Sequence, residues 1–131
     1  MTTSREKIQK YEEKRMYPRI NVDCPVTLGL SGDRVAEALI HNISPGGVQI
    51  RCDQATAEML KSEKNTTATD FEMNFLLPLD GEQVEVSVRC RLVWMVKMED
   101  GGYAIGMQFT KVEGNNRQKL KEFIETSMEP M

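Results

Sequence analysis

Gln83-Val84-Glu85-Val86-Ser87-Val88-Arg89-Cys90-Arg91-Leu92-Val93-Trp94-Met95-Val96-Lys97-Met98 is the longest strand-like stretch of this 131-residue chain. Val84, Val86, Val88, Cys90, Leu92, Trp94 and Val96 fall on every even position, and Glu85, Ser87, Arg89 and Arg91 stand between them. A period of two is that of a strand with one face on a core and the other in water. Val93 and Met95 then make the odd face apolar as well. Near Trp94 the strand is therefore covered on both sides, or bulged.

The same pattern extends outward from this strand. Asp80-Gly81 before it is a hairpin signal, and Asp70 to Leu79 reads as the partner strand, with Phe71, Met73, Phe75 and Leu77 on one face. Glu99-Asp100-Gly101-Gly102 turns the chain into a last strand, Tyr103 to Phe109. Upstream, residues 20–30 alternate through Ile20, Val22, Cys24, Val26, Leu28 and Leu30. Pro25 within them marks a sheet edge or a bulge. Residues 34–43 form a second strand with Val35, Ala36, Ala38 and Ile40 as inward positions, and residues 48–52 a third. Gln54 to Asn65 is helix-compatible over one or two turns. Leu120, Phe123, Ile124 and Ser127 sit at i, i+3, i+4, i+7. They predict a helix over 115–127, capped by Asn115 or Asn116, whose narrow apolar face meets the barrel surface, its mouth or another subunit. The expected fold is mainly β: a six-stranded antiparallel barrel, a short helix after the third strand and a C-terminal α-helix. Closure hides the sheet edges.

Composition bounds the function. Residues 14–131 read as one domain preceded by a flexible basic arm, 1–13. No apolar run approaches the ~18 residues of a membrane span, and the polar N-terminus has no signal-peptide core. The expectation is a cytoplasmic protein without membrane insertion. Cys24, Cys52 and Cys90 are far apart and odd in number, and His41 is the one histidine. That pattern suggests neither a disulfide framework nor a metal site. There is no G-x-S-x-G, P-loop or G-x-G-x-x-G, so no enzyme and no catalytic residue is expected. Net charge is −3, against nucleic-acid polymers as partners, yet residues 1–20 hold six basic and three acidic side chains. A basic arm on an acidic body suits a small anionic ligand.

Two motifs sharpen this. Lys14-Arg15-Met16-Tyr17-Pro18-Arg19 places three cations before the first strand, and Pro18 keeps Tyr17 from the helical region. Arginine binds phosphate through a planar fork, stacks on flat rings and pairs with guanine O6 and N7. Asn42-Ile43-Ser44-Pro45-Gly46-Gly47 links the second and third strands. Arg-x-x-x-Arg followed by Asn-x-Ser-x-x-Gly resembles the PilZ domain, a bacterial receptor for the second messenger cyclic di-GMP (c-di-GMP). The resemblance covers roughly residues 14–127, and the end Gly106-Met107-Gln108-Phe109 is similar to the close of the PilZ sheet.

The resemblance implies that Arg15 and Arg19 contact guanines and phosphates of c-di-GMP, and that Asn42 and Ser44 meet a guanine. It implies that Gly47 keeps the surface open for the base. Lys14 stands where the family sets whether one ligand or an intercalated pair binds, so stoichiometry is open. Trp94 either stacks on guanine or packs in the core. The implied protein is a non-catalytic receptor without cofactor, monomeric or weakly dimeric. Its ligand orders the arm and creates a surface for an unidentified protein partner in motility, attachment or exopolysaccharide control. The alternative is a PilZ-like barrel acting as a ligand-independent protein-interaction module.

Overall fold

The computed structural model describes residues 19–30, 33–64 and 70–128. The strands are β1 (Ile20–Gly29), β2 (Val35–Ser44), β3 (Gly47–Cys52), β4 (Phe71–Leu79), β5 (Glu82–Lys97) and β6 (Tyr103–Lys111). Helix α1 (Gln54–Lys64) joins β3 to β4, and α2 (Asn115–Met128) follows β6. The strands close into an antiparallel barrel in the order β1-β2-β3-β6-β5-β4. The expected arm, 1–13, lies outside the described residues.

Local chemistry sets the hairpins. Asp80 and Gly81 both have positive φ, 53° and 79°, the backbone a two-residue turn needs to match strand twist. Leu79 then pairs with Glu82 and the ladder runs on to Phe71 opposite Cys90. The closed barrel offers no edge for Pro25. It pairs with Leu39 on β2 but lies one residue outside the β1–β4 ladder, which starts at Val26.

The inward residues form one core: Val26, Leu28, Ile40, Ile43, Val48, Ile50, Met73, Leu77, Val86, Cys90, Ile105 and Met107 are all buried. Val35, expected inward, is 57% exposed; β2 alternates strictly here, so Ala36 takes the inner position and its neighbour faces out. Two bulges then reverse the alternation. On β2, Ile40 pairs with Ile50 and Asn42 with Gln49, which leaves His41 as the extra residue. On β5, Leu92 pairs with Met107 and Trp94 with Gly106, which leaves Val93 extra. Each bulge moves the following residues to the opposite face. Met95 therefore packs on the main core, while Trp94 and Val96 join Ala104 in a separate cluster.

The helices close the barrel. Leu120, Phe123 and Ile124 of α2 belong to the main core, and Ser127 is exposed. Asn116 is a tie rather than only a cap: its Oδ1 accepts the Ser87 N–H of β5 at 2.9 Å. Helix α1 runs 11 residues, longer than the one or two turns expected. Asp53 Oδ1 accepts the Thr56 N–H at 2.8 Å and caps its start, a hydrogen bond that holds the Asp53 carboxyl below its ordinary pKa. Ala57 and Leu60 anchor it in the core, and the buried Glu63 carboxylate takes Arg34 at 3.1 Å.

Candidate functional site

The two bulges have a joint result on the outside of the barrel. Asn42 is level with Gln49, Gln49 with Gly106 and Gly106 with Trp94, across β2, β3, β6 and β5. Three strand spacings make this outer row about 14 Å long. Its side chains are sequestered although they lie outside the barrel: Asn42 is 3%, Gln49 0% and Trp94 5% exposed. Gly106 has no side chain because the Trp94 indole lies flat over it. A β-carbon there would collide with indole Nε1, Cε2 and Cδ1.

Arg19, immediately before β1, reaches this row. Its NH1 donates to Asn42 Oδ1, and Asn42 Nδ2 donates to Gln49 Oε1 at 3.0 Å. So the structure joins Arg19 of the first motif to Asn42 of the second. Ser44 is buried, and its Oγ donates to the Gly47 carbonyl at 3.3 Å. The hydroxyl closes the turn and keeps its lone pairs as acceptors. Ser44 pairs with Gly47 across a two-residue hairpin, and the Phe109 N–H binds the Gly46 carbonyl at 2.9 Å. Gly47 has a packing reason to be glycine. A β-carbon there would run into the Met107 carbonyl oxygen and lie 3.1 Å from Gln108 Cα. Lys14 and Arg15 lie outside the described residues.

Trp94 is packed, but on the outer row rather than in the barrel interior. With Val96, Ala104 and Met98 it forms a small cluster of its own. The rows on either side carry further cations that motif reading missed. Arg51 is level with Ala104, and Arg91 is level with Gln108, whose Oε1 accepts its Nε–H at 2.9 Å. Strand parity puts both on the outer face with Gln49; in the sequence they are two of many basic residues on alternating strands. No carboxylate stands at the paired positions of these three rows, 42–49–106–94, 47–108–91 and 51–104–96. In a chain of net charge −3, that is a local face suited to an anion with flat, hydrogen-bonding groups.

Among the described residues no group of three or more His, Cys, Asp and Glu could hold a metal ion. No described helix is long and apolar enough to cross a membrane. The three cysteines are free. Burial pushes the Cys90 thiol up to about 12 and those of Cys24 and Cys52 to about 11, with Asp23 and Asp53 adding to the latter two. None is a poised nucleophile.

No curated protein sequence matches the chain. Among solved structures, its fold is similar to the Bacillus subtilis inhibitor of motility MotI/DgrA, with a TM-score of 0.67 at 13% identity over 88% of this chain and 52% of that one. It is also similar to the PilZ domain of Escherichia coli YcgR solved with c-di-GMP, with a TM-score of 0.60 at 13% identity over 86% and 90%. A third is K. pneumonia MrkH in complex with c-di-GMP, with a TM-score of 0.64 at 14% identity over 86% and 51%. The chain spans about half the length of the first and third of these proteins, and at such identities the likeness is one of fold. The PilZ domain profile, however, matches residues 13–126, nearly the whole length, and by that match the chain belongs to the PilZ domain family.

Proposed function

We propose that the chain is a non-catalytic receptor for cyclic di-GMP, bound on the outer face of the barrel by Lys14, Arg15, Arg19, Asn42 and the turn Ser44–Gly47. The observation that carries this reading is the carboxylate-free outer row with Arg19 docked on Asn42. Asn42 Oδ1 is an acceptor, the group a guanine N–H needs. Arg15 and Arg19 serve phosphates and guanine faces, which one planar cation does for both. Arg51 and Arg91 add positive potential at the flanks. Trp94 forms a wall of the row, and stacking on a guanine requires its cover to move, since it is 5% exposed. Ligand binding then orders the basic arm against the barrel and changes the surface offered to a protein partner. By family resemblance the output is control of motility, attachment or exopolysaccharide.

The test is a thermal melt with cyclic di-GMP, with GTP and cyclic di-AMP as controls. Ligand at 100 times Kd stabilises by about 2.7 kcal/mol, a rise on the order of 10 °C for a domain of this size. A rise with cyclic di-GMP alone supports the receptor. No rise at high micromolar ligand overturns it in favour of a ligand-independent interaction module.

A further inference from the structure

We propose that the cleft between α2 and the turn 44–47 is the seat of this chain's own residues 12–17, anchored by Tyr17, and that this seat positions Arg15 and Arg19 for the ligand. The seat stands on the fold and the sequence; only its effect on affinity rests on the cyclic di-GMP reading. The cleft has a volume of about 460 Å³, and Pro45, Phe109, Val112, Leu120 and Ile124 form its apolar walls. The Phe109 N–H, bonded to the Gly46 carbonyl at 2.9 Å, ties the β6 wall to the turn. A concave apolar site of this size with a few charges at its rim is built to hold a ligand or a short segment of chain. The charges are Lys111, Arg117 and Lys121 against Glu125, with Glu113 3.0 Å from Lys111.

Chain continuity points to the occupant. Ile20 pairs with Ile43 where β1 begins, so Arg19 stands level with Ser44, one residue from Pro45. Two residues of chain span at most about 7 Å and neighbouring strands lie about 4.8 Å apart, which tethers Tyr17 within about 12 Å of the turn. Met16 and Tyr17 are the next apolar side chains upstream. They match the apolar walls, and tyrosine brings a large contact area with few rotors to fix. Glu12 and Glu13 come shortly before them and match the excess of cations at the rim. Residues 65–69, Asn-Thr-Thr-Ala-Thr, offer neither a large apolar side chain nor a charge. Arg15 and Arg19 bracket the anchor, so seating Tyr17 holds the stretch that carries both guanidiniums and removes an ordering cost that the ligand would otherwise meet. Ligand and seat therefore favour each other.

The experiment is limited trypsin digestion of the full chain without ligand, following cleavage between Arg15 and Met16 by mass spectrometry, with cleavage between Lys7 and Ile8 as internal control. Tyr17→Ala removes the anchor and Tyr17→Phe keeps its ring. Glu125→Trp fills the cleft from an exposed helix position and leaves the sequence around the cleaved bond unchanged. Cleavage after Arg15 rises roughly ten- to a hundredfold in Tyr17→Ala and in Glu125→Trp, the scale of one aromatic burial. It stays at the wild-type rate in Tyr17→Phe, and cleavage after Lys7 changes in none of them. Calorimetric titration shows cyclic di-GMP weakened about tenfold in Tyr17→Ala and unaffected in Tyr17→Phe. A wild-type cleavage rate in Glu125→Trp overturns the seat, whatever Tyr17→Ala does, and leaves the cleft to another protein. Protection after Arg15 that grows with protein concentration overturns it in favour of the arm of a second copy. Unchanged affinity in Tyr17→Ala despite faster cleavage overturns the positioning role. Wild type that binds no cyclic di-GMP but shows the expected cleavage pattern overturns the receptor reading and supports the seat.

Discussion

Gly106→Ala tests the outer row where it is tightest. The new β-carbon would overlap three indole atoms of Trp94. The backbone at position 106 cannot yield, because it is paired on both sides, with Gln49 and with Trp94 itself. The indole must tilt away. A tryptophan side chain buries about 150–250 Å², so at about 25 cal/mol per Å² complete expulsion costs at most about 4–6 kcal/mol. A tilt that exposes part of the ring, with the strain of overpacking, costs about 2–3 kcal/mol. At about 2.1 cal/mol/K per residue of unfolding entropy, each kcal/mol moves the Tm of such a domain by about 4 °C. The expected loss is therefore about 7–11 °C. Trp94 is the one tryptophan of the chain, so emission reports it without interference. The variant should melt earlier and its native emission should shift to the red. Introduced into Trp94→Ala, the same change should be nearly neutral, because the space is then open; the cycle gives a coupling close to the whole cost. A Tm within about 1 °C of wild type with unchanged emission would refute the placement of the indole over Gly106.

Further outcomes follow from other parts of the fold. Gly47→Ala sets a β-carbon against the Met107 carbonyl and Gln108 Cα, both backbone; urea unfolding should show a loss of about 3 kcal/mol or more, and a loss under about 1 kcal/mol contradicts the close approach. Arg15→Ala and Arg19→Ala should each weaken cyclic di-GMP at least tenfold, about 1.4 kcal/mol, and Arg19→Lys should not restore it, since an ammonium lacks the fork; wild-type affinity in both alanine variants removes them from the site. The thiols set an alkaline limit. Their ordinary value is 9.0, raised to about 11 at Cys24 and Cys52 and about 12 at Cys90, chiefly by burial. Above pH 9 the unfolded chain ionises its thiols while the folded chain keeps its protons. The folded state then binds more protons, so stability is full below pH 9 and falls as pH rises towards 11–12. Melts from pH 8 to 10.5 should show a decline that is shallower in Cys90→Ala; an identical slope in both removes Cys90 as a cause.

The sequence by itself determined the local features. Alternation placed each strand to within about two residues, because facing core and water in turn is written residue by residue. Asp80-Gly81 fixed its hairpin for the same reason: both residues tolerate positive φ. The two motifs carried the family, and Arg19 and Asn42 do meet. The face to which a side chain turns was legible only as far as alternation stays unbroken. Strict alternation from Ala36, Ala38 and Ile40 would send Asn42 inward, and the even register of Val86 and Val88 would do the same to Trp94. His41 and Val93 reverse both. A bulge is one residue too many relative to a partner strand, so it exists only once β3 lies beside β2 and β6 beside β5. Gln49, Arg51, Arg91 and Gly106 face outward by plain alternation. What joins the Asn42–Gln49 hairpin to the Gly106–Trp94 hairpin is the pairing of β3 with β6. Such pairings join residues far apart in the chain, and no local pattern records which strand will be the neighbour.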